Sequence, residues 1–379
     1  MRPIVLALIM AALAPTMAFT VKTSHVDRSN RVALHGTAAD ETTTFTRPDM
    51  SEIKEKACID TAARMKQVQV PVSESISASG TVGVSYVSWP AQGKRISSIP
   101  IILLHGFDSS CLEYRRLGER LASRGIDVYA VDLLGWGYTQ LDNVNDFSAK
   151  AKVEALEGFA QTVLGGRQYC VGGASLGGAA AIELASANPR QCQGLVLIDA
   201  QGFTDGVGPM ASLPKPLAQA GVQVLKSIPL RSAANQMSYF DKETFATDEA
   251  VTIGRLHCLR DGWQDALVNF MLSGGFSPSA KVATIEAPSL VLWGRQDGIL
   301  DGTEFAPKFV ETLPNAELQW IEECGHVPHL EQPDKTADAI ATFMQTKLPQ
   351  SSPFPAAGVA VGGLAGVGAA AAAAASNLF

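Results

Sequence analysis

Several signatures of common protein classes are missing from this chain. Its six cysteines (Cys58, Cys111, Cys170, Cys192, Cys258 and Cys324) are widely spaced and form no C-x-x-C pair. That argues against a zinc signature and a dense disulfide framework, and leaves buried free thiols as the reading. No His, Cys, Asp and Glu set falls at metal-ligand spacing, and Gly135-Trp136-Gly137 lacks the third glycine of a dinucleotide-binding turn. No cofactor and no metal are therefore expected. Basic residues are in deficit: 30 Lys and Arg against 37 Asp and Glu leave a net charge of −7, without the footprint of a nucleic-acid-binding protein. No internal repeat is present, and no charge appears after Lys347.

The two ends differ from the middle. Residues 1–18 read as a signal peptide: Arg2 precedes an apolar run from Ile4 to Leu13, too short to span a bilayer, and small residues lead to Ala18. Residues 19–75 begin rich in Ser and Thr and read as a transit-like segment without a fold of its own. A signal ending at Ala18–Phe19, followed by a basic, hydroxylated stretch, resembles the two-part presequence of algae with secondary plastids. The resemblance implies delivery to a plastid, and scattered cysteines suit a reducing compartment. A secretory signal before a spacer, giving a secreted or endomembrane protein, is the alternative. In the tail, residues 349–379, Gly358, Gly362 and Gly366 recur at four-residue spacing. This is either a low-complexity tail or a membrane-associated helix with a glycine face.

Between the ends, over 80–348, strand and helix patterns alternate. Apolar β-rich runs lie at Thr81–Trp89, Ile99–Leu104, Ile126–Val131, Tyr169–Gly172, Leu195–Ile198, Ser289–Trp293 and Glu317–Ile321. Runs such as IPIILL and GLVLID are apolar at nearly every position, the mark of strands buried on both faces. Helical spacing appears at Leu112–Ser123, Ala149–Leu164, Leu176–Ala187, Gly302–Leu313 and Pro333–Lys347. The alternation predicts an α/β fold: a mostly parallel twisted sheet with helices on both faces. From about 202 to 280 the alternation stops. Prolines at 209, 214, 216 and 229 introduce helical pieces with no strand, which predicts a helical cap near the strand C-termini, where such sheets bind ligands.

The stretch CVGGASLGGAAAIELA surrounds one serine, Ser175, with small residues. Gly173-Ala174-Ser175-Leu176-Gly177 fits G-x-S-x-G, with a short strand before it and a helix after it, the context that the motif requires. A serine at so sharp a turn is forced toward positive φ and tolerates only small neighbours. Serine is a poor nucleophile near neutral pH and needs a base, itself oriented by a carboxylate. Downstream, Asp297 in SLVLWGRQDGIL and His326 in LQWIEECGHVPHLEQP each follow an apolar strand, in the order Ser, acid, His. Asp301 and Asp199 are rival acids and His329 a rival base. His105 reads as a structural loop histidine.

Acyl transfer also needs donors for the oxygen that becomes negative. The Leu176 N–H, just after the serine, is one candidate. The Phe107 N–H in His105-Gly106-Phe107, after the IPIILL strand, is the other. In the cap, Trp263, Phe270, Met271 and Phe276 either cover an apolar group of the substrate or pack the cap's own core.

HGFDSS, DLLGWGYT, GGASLGG, GRQDGI and CGHVPHLEQP, in that order, resemble the α/β-hydrolase superfamily across about residues 80–348. LHGFDSSCLEYRR, VDLLGWGYTQLD and the cap segment IGRLHCLRDGWQDALVNFMLSGG resemble more narrowly a group of plastid α/β-hydrolases of plants and algae related to pheophytinase and chlorophyll dephytylase. The resemblance implies the α/β-hydrolase fold, a serine hydrolase acting through Ser175, His326 and Asp297, and a small-molecule apolar ester as partner, with prenyl, phytyl or lipid esters as the class. Acyl transfer, haloperoxidase-like chemistry and carbon–carbon hydrolysis use the same residues, and a ligand receptor on the same scaffold is the alternative of another class. A serine nucleophile argues against dehalogenase or epoxide hydrolase chemistry, which uses a carboxylate in this fold. Substrate identity and oligomeric state are not legible in these residues.

Overall fold

The structure, a computed structural model, describes residues 45–349. The expected signal peptide at 1–18, residues 19–44 and residues 350–379 lie outside the described residues.

Eight strands form one sheet in the order β1-β2-β4-β3-β5-β6-β7-β8. They are β1 (Lys66–Pro71), β2 (Thr81–Trp89), β3 (Ile101–Leu104), β4 (Val128–Val131), β5 (Tyr169–Ala174), β6 (Cys192–Ile198), β7 (Ser289–Gly294) and β8 (Ala316–Ile321). β2 runs antiparallel to both β1 and β4; from β4 to β8 every pairing is parallel. β1 and the helix before it, α1 (Lys56–Ala63), correct one sequence boundary. The stretch expected to remain unfolded to residue 75 contributes the sheet's edge strand. Its alternation K-Q-V-Q-V-P buries only Val70 fully, and its proline falls at the strand's last residue, on an edge where a missing N–H is tolerated.

Alternate residues of the central strands go to opposite faces. Ile102, Leu104, Val171, Leu195, Leu197 and Val291 enter one core. Ile101, Leu103, Cys170, Val196, Ile198, Leu290 and Leu292 enter the other. Both faces are thus dry, the reason these strands read as unbroken apolar runs. All six cysteines are free and buried. Cys324, two residues before His326, has its thiol pushed far up by burial, so it is held in the unreactive protonated form.

The helices on the faces are α2 (Gly118–Ser123), α3 (Ala149–Leu164), α4 (Leu176–Ala187) and, later in the chain, α9 (Gly302–Thr312) and α10 (Pro333–Lys347). The Ser148 hydroxyl accepts from the Ala151 N–H at 3.2 Å to start α3, and Gly165 at φ 62° ends it. Between β6 and β7 the described chain makes helices and no strand: α5 (Lys215–Leu225), α6 (Ile228–Ser238), α7 (Asp248–Arg255) and α8 (Trp263–Leu272), with shorter turns between them.

α4 lies close on the sheet because Gly177 and Gly178 in its first turn lack side chains. A Cβ on Gly177 would stand 2.1 Å from the Leu104 carbonyl oxygen, and one on Gly178 would stand 2.4 Å from the Ala200 Cβ. Gly177→Ala forces a Cβ against the Leu104 and His105 backbone and is expected to destabilise the fold by about 3 kcal/mol. Thermal unfolding of the purified variant checks this; an unchanged Tm would contradict it.

Candidate active site

Ser175 sits between β5 and α4 with φ 51° and ψ −121°, a region that side chains avoid. Three backbone hydrogen bonds hold it there. Its N–H donates to the Ile198 carbonyl at 3.0 Å, and its carbonyl accepts from Gly178 at 2.9 Å and Gln201 at 2.8 Å. The turn is so tight that a Cβ on Gly173 would lie 2.0 Å from the Gly177 oxygen. The small residues around the serine are therefore a steric requirement, and its side chain sits at the positive end of α4.

Asp297 lies three residues beyond the last residue of β7, Gly294. Its Oδ1 accepts from the backbone N–H groups of Ile299 at 2.7 Å and Leu300 at 3.1 Å. Its Oδ2 accepts from Trp293 Nε1 at 3.2 Å and faces His326 Nδ1 at 2.9 Å. Burial favours the neutral acid, but attraction and hydrogen bonding from His326 and the Ile299 and Leu300 N–H groups outweigh it and hold the carboxyl below its ordinary range. A carboxylate only accepts, so Nδ1 of His326 carries the proton and Nε2 is the accepting nitrogen of the neutral ring, an assignment that follows from the partners. The His326 N–H donates to the Ser238 carbonyl at 2.7 Å. A Cβ on Gly325 would lie 2.3 Å from that same oxygen, which is why a glycine precedes the histidine.

The rivals have other partners. Asp301 caps α9 through the Thr303 N–H at 3.1 Å. The ligating atoms of Asp199, Asp297 and His326 lie within 4.8 Å of one another, but Asp199 Oδ1 accepts from the Gly294 N–H at 2.9 Å. Burial and the neighbouring charge of Asp297 push the Asp199 carboxyl well up, so the imidazole faces one carboxylate, Asp297. His329 pairs with Glu113 at 3.0 Å. His105 is fully buried; its Nδ1 meets the Gly106 carbonyl at 2.9 Å and its Nε2 accepts from the Leu133 N–H at 3.1 Å. Its ring thus ties the start of the loop after β3 to Leu133, just after β4.

Ser175, His326, Gly106 and Phe107 share one cavity of about 340 Å³. Its cap wall corrects the sequence reading. α6 and α7 supply Arg231, Asn235, Ser238 and Ile253, whereas Trp263, Phe270, Met271 and Phe276 do not line it. These four are 4% exposed or less and face inward. Phe270 packs edge-on against Trp136 at 4.9 Å and beside Phe276 at 5.6 Å, and Trp136 packs edge-on against Phe107 at 5.5 Å. Through Trp136, Phe270 backs the Phe107 loop, and Trp263 Nε1 donates to Asp108 on that loop.

Sequence reasoning missed two buried carboxylates. Glu113 accepts from the Gly106 N–H at 3.1 Å and from His329. Glu331 accepts from the N–H groups of Gly325 at 2.6 Å, Phe240 at 3.2 Å and Asp241 at 2.7 Å, tying the His326 loop to the cap. Both lie inside stretches that carry the family resemblance, Glu113 in LHGFDSSCLEYRR and Glu331 in CGHVPHLEQP, but most of their partners are remote in sequence, so nothing local shows what they hold.

The family model of the alpha/beta hydrolase family matches residues 101–339. The chain is 33% identical over 305 residues to the alpha/beta hydrolase domain-containing protein VTE7 of Arabidopsis thaliana, covering 80% of this chain and 91% of that protein. It is 27% identical to Lipase 1 of Psychrobacter immobilis, covering 67% of this chain and 79% of the lipase. Among solved structures, a thermophilic esterase from Thermogutta terrifontis aligns with a TM-score of 0.61 at 20% identity, covering 75% of this chain and all of the esterase chain. The chain belongs to the alpha/beta hydrolase family, and its mostly parallel sheet with helices on both faces is that fold.

Glu113 carries a pH prediction. Burial pushes its carboxyl up, but hydrogen bonding and attraction from His329 outweigh this and hold it at about 2, against 4.5 for a free glutamate. A depressed folded-state value adds stability that is complete above 4.5 and is lost as pH falls toward 2. Glu113→Gln is expected to be less stable than wild type at neutral pH and to lose less stability over that acid window. Parallel curves of Tm against pH for the two proteins would contradict this.

Proposed function

We propose that this chain is a serine hydrolase that cleaves a carboxylic ester, or a related acyl compound, carrying an apolar group. The observation that carries the reading is the ordered pair Asp297–His326, 2.9 Å apart, opening on the same cavity as a serine held at positive φ. In this reading His326 Nε2 takes the Ser175 proton as Oγ attacks the carbonyl carbon. The carbonyl oxygen becomes negative and is held by the N–H groups of Phe107 and Leu176. The tetrahedral species collapses, His326 returns the proton to the leaving alkoxide, and the acyl group stays on Ser175. Water then repeats the sequence, with His326 as base, and releases the acid. Asp297 stays ionised throughout, orienting the ring and stabilising its charged form.

The cavity volume, about 340 Å³, lies at the low end for ligand sites. Phe107, Leu112, Ile253 and Val327 give it apolar walls, with Arg231 and Asn235 on the cap side. This favours a compact apolar group beside a polar one. Acyl transfer and carbon–carbon hydrolysis by the same residues differ from this reading in their products. Turnover of a short p-nitrophenyl ester is expected to fall by about 10⁴-fold in Ser175→Ala and by a similar factor in Asp297→Asn, where the tautomer is wrong. Equal rates in wild type and Ser175→Ala would remove the reading.

We also infer a plastid address from the two-part pattern at the start of the chain. A fluorescent protein fused behind residues 1–75 is expected to enter the plastid of an alga with secondary plastids, and Phe19→Ala to divert it. A wild-type fusion that is secreted would overturn this.

A further inference from the structure

Asp108 follows Phe107 directly, on the loop that leaves β3. Its backbone has φ 46°, a left-handed value that aspartate adopts more readily than most side chains. Its carboxyl is 2% exposed, and every donor on it comes from the cap. Arg231 Nη2 on α6 meets Oδ2. His257 Nε2, in the turn after α7, meets Oδ1 at 3.0 Å, and Trp263 Nε1 at the start of α8 donates to Oδ1 at 2.8 Å. The Asp108 carbonyl accepts from Arg231 Nη1 at 3.2 Å. Burial of so enclosed a carboxyl favours its neutral form, but Arg231 and His257 outweigh that and hold it well below the ordinary range.

Arg231 is as fully engaged as Asp108. Its remaining bonds run from Nε to the Leu225 carbonyl at 3.0 Å, from Nη1 to the Gly254 carbonyl at 3.1 Å, and from Nη2 to Cys258 Sγ at 3.1 Å. One guanidinium therefore joins the end of α5, α6, α7, the turn after α7 and the β3 loop, with its whole fork of donors used. Asp108, His257 and Cys258 place an oxygen, a nitrogen and a sulfur within 4.8 Å of one another, a donor set that a divalent metal ion accepts. Here the Arg231 guanidinium contacts two of the three, Asp108 and Cys258. The cation that this cluster is built around is the arginine's own charge, and a second cation would meet its repulsion.

The ion pair is in the wrong place to serve stability alone. It crosses from the cap to the residue beside a proposed oxyanion donor, and Phe107, Asp108 and Arg231 all line the cavity that contains Ser175. We propose that Asp108 is a positioning residue. Through its carboxylate the cap holds the loop that carries the Phe107 amide, so oxyanion-binding geometry exists only while the cap is seated on that loop. The inference rests on the serine hydrolase reading for its kinetic consequence, but not for its structural one. Loss of the clamp leaves the substrate wall largely in place and lets the amide wander. An amide displaced by about 1 Å costs on the order of 10²-fold in rate, because the misalignment matters most in the transition state.

The test compares wild type, Arg231→Met, Arg231→Lys, Trp263→Phe and Asp108→Asn by two measurements. With a p-nitrophenyl butyrate probe, Arg231→Met and Asp108→Asn are expected to lower kcat about 10- to 100-fold with KM within about threefold, and Arg231→Lys to recover part of kcat. By hydrogen–deuterium exchange, amides 105–110 are expected to exchange faster in Arg231→Met while those of α10 stay unchanged. A folded Arg231→Met with wild-type kcat, or with a lowered kcat and unchanged exchange at 105–110, overturns the proposal. If Asp108→Asn does not fold, the cap variants Arg231→Met and Trp263→Phe decide. If wild type itself does not turn over the ester, the hydrolase reading fails, and the exchange comparison alone supports or overturns the clamp.

Discussion

The backbone of Ser175 occupies a conformation that an isolated serine would leave at once, and the rest of the site depends on its staying there. Its cost, of order 1–3 kcal/mol, is tolerable only where the surroundings over-determine it. Here the Ile198, Gly178 and Gln201 backbone groups pin both ends of the residue, so β6 and α4 would have to separate before the serine could relax. The same constraint dictates the glycines at 173 and 177, whose side chains would overlap neighbouring backbone atoms. It also sets α4 tight against the sheet, and the two cores on either face supply the packing that keeps it there. Fold stability and the pose of one hydroxyl are in this respect one quantity.

Around that turn the strand-end loops are held by buried carboxylates. Asp132 accepts from the N–H groups of Cys111 at 2.6 Å and Tyr138 at 2.9 Å and from the Ser85 hydroxyl at 2.5 Å, so the loops after β3 and β4 share one anchor. Glu113 fixes Gly106, Asp297 fixes its own turn and the imidazole, and Glu331 fixes Gly325. Loops lack the repeating hydrogen bonds of strands and helices, and a buried carboxylate that gathers several N–H groups substitutes for them. Each such group is costly to bury and costly to disturb. That combination suits a site in which loop atoms must hold position to a fraction of an ångström.

How far the sequence discloses this follows from the range of each interaction. Ser175, Asp297 and His326 each sit in a local frame of strand, tight turn and helix start, so their placement is legible from a dozen neighbouring residues. The central strands are legible because both faces are buried and every position must be apolar. β1 escapes because an edge strand buries one face in part, and K-Q-V-Q-V-P resembles an extended linker. Glu331 escapes because its cap partner Phe240 lies 91 positions away. The cap aromatics mislead for a different reason: Trp263, Phe270, Met271 and Phe276 have the composition of a pocket lining and of a core alike. Only the direction each side chain takes separates the two.

That direction divides the cap into two functions. α8 turns its aromatic residues down onto Trp136 and the Phe107 loop, while α6 turns one face to the cavity. Arg231, Asn235 and Ser238 fall at i, i+4 and i+7, so they project from the same side of that helix. Arg231 is committed to the Asp108 clamp by its full set of bonds, whereas Asn235 and Ser238, one and two turns further along, line the cavity that Ser175 and His326 also line. A change at Asn235 alters the substrate wall without touching the clamp. A change at Arg231 acts first on the clamp, because that residue fastens α6 to the loop that carries Phe107 and Asp108. Side-chain changes at Asn235 can therefore reshape this cavity wall while Arg231 and the Ser238 carbonyl keep α6 fastened to the loops beneath.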